Sequence, residues 1–147
     1  MHLTRHSDYS LRVLIFLAVK GQHATISEIA EAFAISRAHL TKVVHELAQL
    51  GYVATMRGRG GGLTLGKAPR EICVGRLLRQ TEENLVLVDC LSSAQRGERN
   101  CVITPACKLK GAFAQALQAF FAVLDRYTLA DLVEGRAAPL QRLLRLV

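Results

Sequence analysis

Tyr52-Val53-Ala54-Thr55-Met56-Arg57-Gly58-Arg59-Gly60-Gly61-Gly62-Leu63-Thr64-Leu65 is the stretch whose reading decides the fold. Residues 52–56 alternate as a strand, residues 63–65 return, and the tip between them is basic and rich in glycine. Glycine lets backbone approach a phosphate or groove closely, and arginine suits phosphate or minor-groove contact. Arg57, Arg59 and Gly60 are therefore candidate DNA contacts. A decoy overlaps this stretch: residues 61–67 match most of a phosphate-binding P-loop. Ala68 stands where that loop needs Ser or Thr for magnesium, and the alternation of Leu63-Thr64-Leu65 demands a strand where the loop needs an open turn.

Moving outward toward the N-terminus, two short helical patterns precede the hairpin. Thr25-Ile26-Ser27-Glu28 fits a capping box, opening a helix with Ile26, Ile29, Ala30 and Phe33. After a turn at Ala34-Ile35, Ser36 caps a second helix whose Leu40, Val43, Val44 and Leu47 recur at helical spacing. With that stripe inward, Arg37, His39, Thr41, Lys42 and His45 face outward, and Ser36, Arg37 and His39 sit at the helix start. Any amphipathic helix has a solvated face, so this one alone does not decide between DNA and water. Two helices followed by a basic hairpin do decide: a winged helix-turn-helix, with Ser36, Arg37, His39, Thr41 and Lys42 toward the major groove.

The first helix pattern runs from about Ser7 or Asp8 to Lys20 and is apolar almost all round, which calls for burial or for packing against a second subunit. Past Pro69, residues 72–80 suggest a short helix. Thr104-Pro105 reads as N-cap and first residue of a long helix to about residue 127. Its seam of Leu109, Phe113, Ala116, Phe120, Val123 and Tyr127 fits either a core within one chain or a helix-on-helix contact with a second copy, and the second copy is favoured because the N-terminal domain is too small to cover it all. Thr128 begins a further short helix. The fold class expected is mainly α with a small β-hairpin: a winged helix-turn-helix domain at residues 1–70, then a loop and a dimerisation helix at 71–147. The 147 residues carry net charge +7, and nine Lys/Arg against four Asp/Glu fall in residues 1–70. That bias suits phosphate contact. The run at residues 13–19 is too short to span a membrane and nothing marks export, so a cytoplasmic protein is expected.

Four cysteines remain. Cys90, Cys101 and Cys107 share one polar, turn-prone stretch, with ten residues between the first two and five between the last two. In a reducing compartment, clustered thiols point to metal or redox chemistry before disulfides. The spacing lacks the close pairs of structural zinc and suits an iron–sulfur cluster, although a 4Fe–4S cube normally takes four thiolates. Cys73, between Ile72 and Val74, reads as a small buried hydrophobe.

With these residues in view, the chain resembles the iron–sulfur winged-helix regulators of bacteria, most closely their nitric-oxide-sensing repressor branch (NsrR-type). The resemblance rests on Leu3-Thr4, Ser7-Asp8-Tyr9, residues 36–42, the Arg57–Gly62 tip, Cys101-Val-Ile-Thr-Pro-Ala-Cys107-Lys-Leu-Lys and residues 125–132. It implies a homodimer that binds promoter DNA with its cluster intact and releases it after reaction with nitric oxide. It also implies Cys90, Cys101 and Cys107 as ligands of a 4Fe–4S cluster in preference to 2Fe–2S, with Asp8 of the other protomer as the fourth. From the residues alone, Asp8 reads equally as a carboxylate favoured by a helix N-terminus. The ten-residue gap after Cys90 is longer than that branch leads one to expect.

Alternatives compete. A 2Fe–2S regulator of cluster assembly or redox stress would need a further ligand such as histidine, and none follows Cys107. An iron–sulfur electron carrier would not need the recognition helix or the arginine-bearing tip. A thiol enzyme would need a positioned Cys/His pair, which the spacing does not supply.

Overall fold

The computed structural model describes residues 2–56, 58, 61–91 and 101–147. Helix α1 (Arg5–Lys20) starts because the Thr4 hydroxyl accepts the Ser7 N–H at 3.3 Å, and it stops at Gly21. Val13, Leu14, Phe16 and Leu17 are buried along it, as its nearly continuous apolar run requires. Helix α2 (Ile26–Phe33) opens with the capping box: Glu28 N–H donates to Thr25 Oγ1 at 3.2 Å, and Thr25 N–H donates to the Glu28 carboxylate at 2.6 Å. The Glu28 carboxyl lies below its ordinary pKa, first because Lys20 donates to it and then because of the Thr25 amide. After the turn at Ala34, helix α3 (Arg37–Gln49) buries Leu40, Val43, Val44 and Leu47.

Strands β1 (Val53–Met56) and β2 (Gly62–Leu65) form an antiparallel hairpin with Val53 opposite Leu65 and Met56 opposite Gly62. Leu63 also exchanges two backbone hydrogen bonds with Ala24, at 2.7 and 2.9 Å. This brings the chains so close that a Cβ at position 62 would lie 2.8 Å from the Ala24 carbonyl oxygen. Gly62 is thus demanded by packing inside the protein, a reason independent of any approach to DNA. The strand at Gly62–Leu65 also excludes the P-loop match.

Beyond the hairpin, a 3-10 turn (Pro69–Glu71) leads to α4 (Val74–Thr81). Two further 3-10 turns, Asp89–Leu91 and Thr104–Ala106, come before α5 (Lys108–Leu124). The long helix therefore begins later than Thr104-Pro105 suggested. Cys107 has extended backbone (φ −80°, ψ 106°), which separates the Thr104–Ala106 turn from α5 and leaves Cys107 as the helix cap. Helix α6 (Leu129–Val133) opens with a second capping box, Thr128 with Asp131, and α7 (Ala137–Leu143) closes the described chain. The Thr128 hydroxyl is the first reason the Asp131 carboxyl is held below its usual range.

The main core gathers α1, α2, α3 and the hairpin with Ile72, Leu77, Leu129 and Leu144, so α4, α6 and α7 share it. A second, smaller cluster of Val74, Leu78 and Phe121 joins α4 to α5. Burying each such side chain contributes about 1.5–3 kcal/mol. Phe121 is the sole buried residue described on α5. Leu109 remains 59 % exposed and Val123 43 %. No described helix is long and apolar enough to cross a membrane.

Candidate nucleic-acid interface and cysteine region

The helix-turn-helix presents its outer face as the residue pattern requires. Ser36, Arg37, His39, Thr41, Lys42 and His45 are all exposed, opposite the buried stripe of α3. Their hydrogen-bonding capacity differs. The Ser36 hydroxyl accepts the His39 N–H at 3.3 Å, so its first task is capping. Thr41 donates its hydroxyl proton to the Arg37 carbonyl at 2.8 Å, which leaves it an acceptor toward any ligand. Arg37 and Lys42 carry no ion pair among the described residues. Arg57, Arg59 and Gly60 lie outside the described residues.

Two contacts from α1 hold α3, and the sequence pattern did not reveal them. The Tyr9 and His39 rings lie 6.4 Å apart, and His6 Nε2 stands 2.7 Å from a Glu46 carboxylate oxygen. The second contact is close but poorly aligned for an N–H hydrogen bond. His6 is half-buried in it. The three-residue spacing of His6 and Tyr9, which puts them on one helix face, was the available signal.

All four cysteines are free. Cys90 sits in the Asp89–Leu91 turn, which packs against α5. Cys101 opens a turn closed by Thr104 N–H donating to Cys101 O at 2.9 Å, and Cys107 ends the following Thr104–Ala106 turn, donating its N–H to Thr104 O at 3.4 Å. Cys101 is exposed, and Cys90 and Cys107 are half-buried. Cys107 caps α5, whose positive end and neighbouring Lys108 and Lys110 favour an anionic group. The donor set thus fits a thiophilic metal in kind: free, reachable thiols on short turns beside a helix N-terminus. Among the described residues, no three His, Cys, Asp or Glu side chains come close enough together to hold a metal ion. Asp8 is clasped by Arg12 through contacts of 3.1 and 2.8 Å, and Arg12 also lies over the Tyr9 and Phe33 rings.

Cys73 departs from expectation. It is half-buried at the start of α4, with its sulfur 3.7 Å from the Asp125 carbonyl and 3.9 Å from that side chain. It lies apart because β-bridge pairing with Thr128 turns residue 73 toward the end of α5. Asp125 is gripped by the Arg79 guanidinium at 2.6 and 2.8 Å, the first reason its carboxyl is held below the ordinary range.

The family profile of Rrf2, an iron-dependent transcriptional regulator, matches residues 3–135. The chain belongs to the Rrf2 family. The Rrf2 fold is visible in a solved neighbour, CymR, the global cysteine regulator of B. subtilis. It superposes with a TM-score of 0.72 at 26 % identity, covering 92 % of this chain and 98 % of that one. Among Rrf2 relatives, the HTH-type transcriptional regulator NsrR of Geobacillus kaustophilus is 51 % identical over 140 residues, covering 94 % of this chain and 93 % of the relative. NsrR of Bacillus subtilis is 49 % identical over 138 residues, covering 92 % of each. The chain is a transcription regulator of Rrf2 type, and a regulatory role is not an enzymatic one.

Proposed function

We propose that this Rrf2 regulator is a nitric-oxide-sensing repressor that works as a cytoplasmic homodimer on promoter DNA. Residues 1–70 read the DNA through Ser36, Arg37, His39, Thr41 and Lys42 on α3 and through Arg57, Arg59 and Gly60 at the hairpin tip. Residues 71–147 hold the sensor and the dimer contact. Cys90, Cys101 and Cys107 are the proposed ligands of a 4Fe–4S cluster, with Asp8 of the other protomer as the fourth. A cluster held by these residues would supply iron able to react with nitric oxide, with loss of operator binding as the consequence.

The observation that carries the reading is the conjunction of near-half identity to NsrR proteins along almost the whole chain with three free thiols on two turns that adjoin α5. The exposed apolar face of α5 supports the dimer, since Leu109 and Val123 lack cover within the chain. Asp8 would have to share or leave Arg12 to reach a metal, and a carboxylate is a harder, weaker iron ligand than thiolate. A place at the partner's cluster would make that iron the point of entry for a small reactant.

The test is anaerobic purification with absorbance, iron and sulfide counts, followed by nitric oxide titration while operator binding is measured. A 4Fe–4S stoichiometry, lost in single Cys90, Cys101 or Cys107 variants and kept in Cys73→Ala, is expected. Operator affinity should fall as nitric oxide is added. Equal operator affinity with and without the cluster, unchanged by nitric oxide, would refute the proposal.

A further inference from the structure

The first two turns of α1 touch two elements at once, through alternating residues. On one side, Thr4 donates both its backbone N–H and its hydroxyl to Glu82 Oε1, at 2.8 and 3.1 Å. The Ser7 hydroxyl meets Thr81 Oγ1 at 2.8 Å, and both side chains are buried. Thr81 and Glu82 are the end of α4, from which the chain runs directly to Cys90. On the other side, His6 reaches Glu46 near the C-terminal end of α3, and Tyr9 reaches His39 in its first turn. One short stretch of helix therefore holds the reader helix near both ends and is itself tied to the segment leading to the first cysteine.

The space among these elements leaves room for movement. A polar cavity of about 300 Å³ is lined by Thr4, His6, Glu46, Gln80, Thr81 and Glu83. The His6–Glu46 contact borders this cavity, whereas the Ser7–Thr81 contact joins two buried side chains. A shift at the end of α4 would be passed on by the buried hydroxyl pair and taken up where the cavity lies.

We propose that the first two turns of α1 are a coupling element in which His6 and Tyr9 act as positioning residues for α3. Displacement of the Thr81–Glu82 end of α4, or of α1 itself, re-aims the recognition helix through these two contacts. The sensing role of this device rests on the proposed cluster reading, because Cys90 lies beyond Glu82 and Asp8 lies between His6 and Tyr9. The mechanical link does not.

The deciding experiment uses full-length, cluster-free protein and amide hydrogen exchange across residues 37–49. Thr81→Val removes the Ser7 contact from the α4 side. Tyr9→Leu with Glu46→Ala removes both contacts from the α3 side, and His6→Gln is the milder alternative should that pair fold poorly. In the parent background, Thr81→Val is expected to speed exchange in α3 several-fold. In the Tyr9/Glu46 background it is expected to add less than about twofold, the non-additivity of residues that share one network. Independent, multiplying effects would overturn the link.

A second measurement reads its consequence: the ratio of operator affinities with and without the cluster. Coupling of ordinary strength makes that ratio about 5- to 150-fold in the parent. It should collapse toward one in Tyr9→Leu/Glu46→Ala while the cluster absorbance stays unchanged. Equal weakening of both forms, with the ratio preserved, is what mere loss of stability in α3 would produce, and it would overturn the positioning role. A parent ratio near one would defeat the cluster reading instead, and the exchange experiment would still decide the link.

Discussion

Gly75→Ala isolates the joint that carries α5 on the rest of the protein. A Cβ built at position 75 would stand 2.1 Å from Asp125 Oδ1 and 3.0 Å from both its Cγ and its backbone N. The carboxylate cannot swing aside without leaving Arg79, which grips it at 2.6 and 2.8 Å and also lies 4.2 Å from the centre of the Phe121 ring. The backbone N cannot retreat easily either, because Asp125 N–H donates to Phe121 O at 2.8 Å. Overpacking of this kind costs about 1–3 kcal/mol. In a chain of this length, that lowers the melting temperature by about 3–10 °C. Urea titration with an unchanged m-value would register the loss. Asp125→Ala alone, at an exposed ion pair, should change stability little. In the Gly75→Ala background it should recover part of the loss, because it removes the closest clash and leaves the backbone contact. A Gly75→Ala protein within 0.5 kcal/mol of the parent, or a double variant whose losses simply add, would refute the assignment of this glycine to close packing against Asp125.

Lys42→Ala should weaken operator binding and flatten its salt dependence by about one unit if Lys42 meets a phosphate, while Arg37→Ala should cost about 1–3 kcal/mol if it reads a base. Fluorescence anisotropy at two salt concentrations separates the two, and parental binding by both variants would exclude α3 from the interface. Val123→Asp places a charge on the exposed face of α5 and should yield monomers by light scattering without a loss of helix content; a dimer of parental stability would move the interface elsewhere. Asp125, Asp131 and Glu28 each have a carboxyl pKa below its ordinary value because of Arg79, Thr128 and Lys20 respectively. A lowered folded-state pKa adds stability above the unfolded value and loses it as pH falls through the folded one. Melts should therefore hold from neutrality to about pH 5 and decline below about pH 4, by a modest amount because these groups are exposed. A melting temperature that rises on acidification would contradict this.

Local chemistry made much of the fold legible. The Thr25–Glu28 capping box, Ser36 before an amphipathic run and the glycine-rich hairpin each act within a few residues, and each appears where the pattern placed it. Thr104-Pro105 was misleading for the same reason. It does start a turn, but whether that turn continues depends on the backbone at Cys107, which is extended and delays α5. Cys73 shows the opposite failing. Its apolar neighbours Ile72 and Val74 are buried, yet its own thiol faces Asp125, fifty-two residues away. Exposure of the α3 face was readable from period alone, whereas its restraint by Tyr9 and His6 was not.

The sequence by itself determined most of the elements, the exposed polar face of α3, the spacing of the cysteines and the surplus apolar face of α5, because periodicity, capping and composition act over a few residues. Only the tertiary structure decided which groups meet. It put Glu82 on the N-terminus of α1, His6 on Glu46, Asp125 against Gly75, and the carbonyl of Ala24 so near position 62 that only glycine fits. These are contacts between residues 38 to 78 positions apart, made where chain segments cross. Their existence depends on how the buried faces of α1, α4 and α5 pack together, and burial of those faces is satisfied by the whole core at once and not by any one stretch of chain.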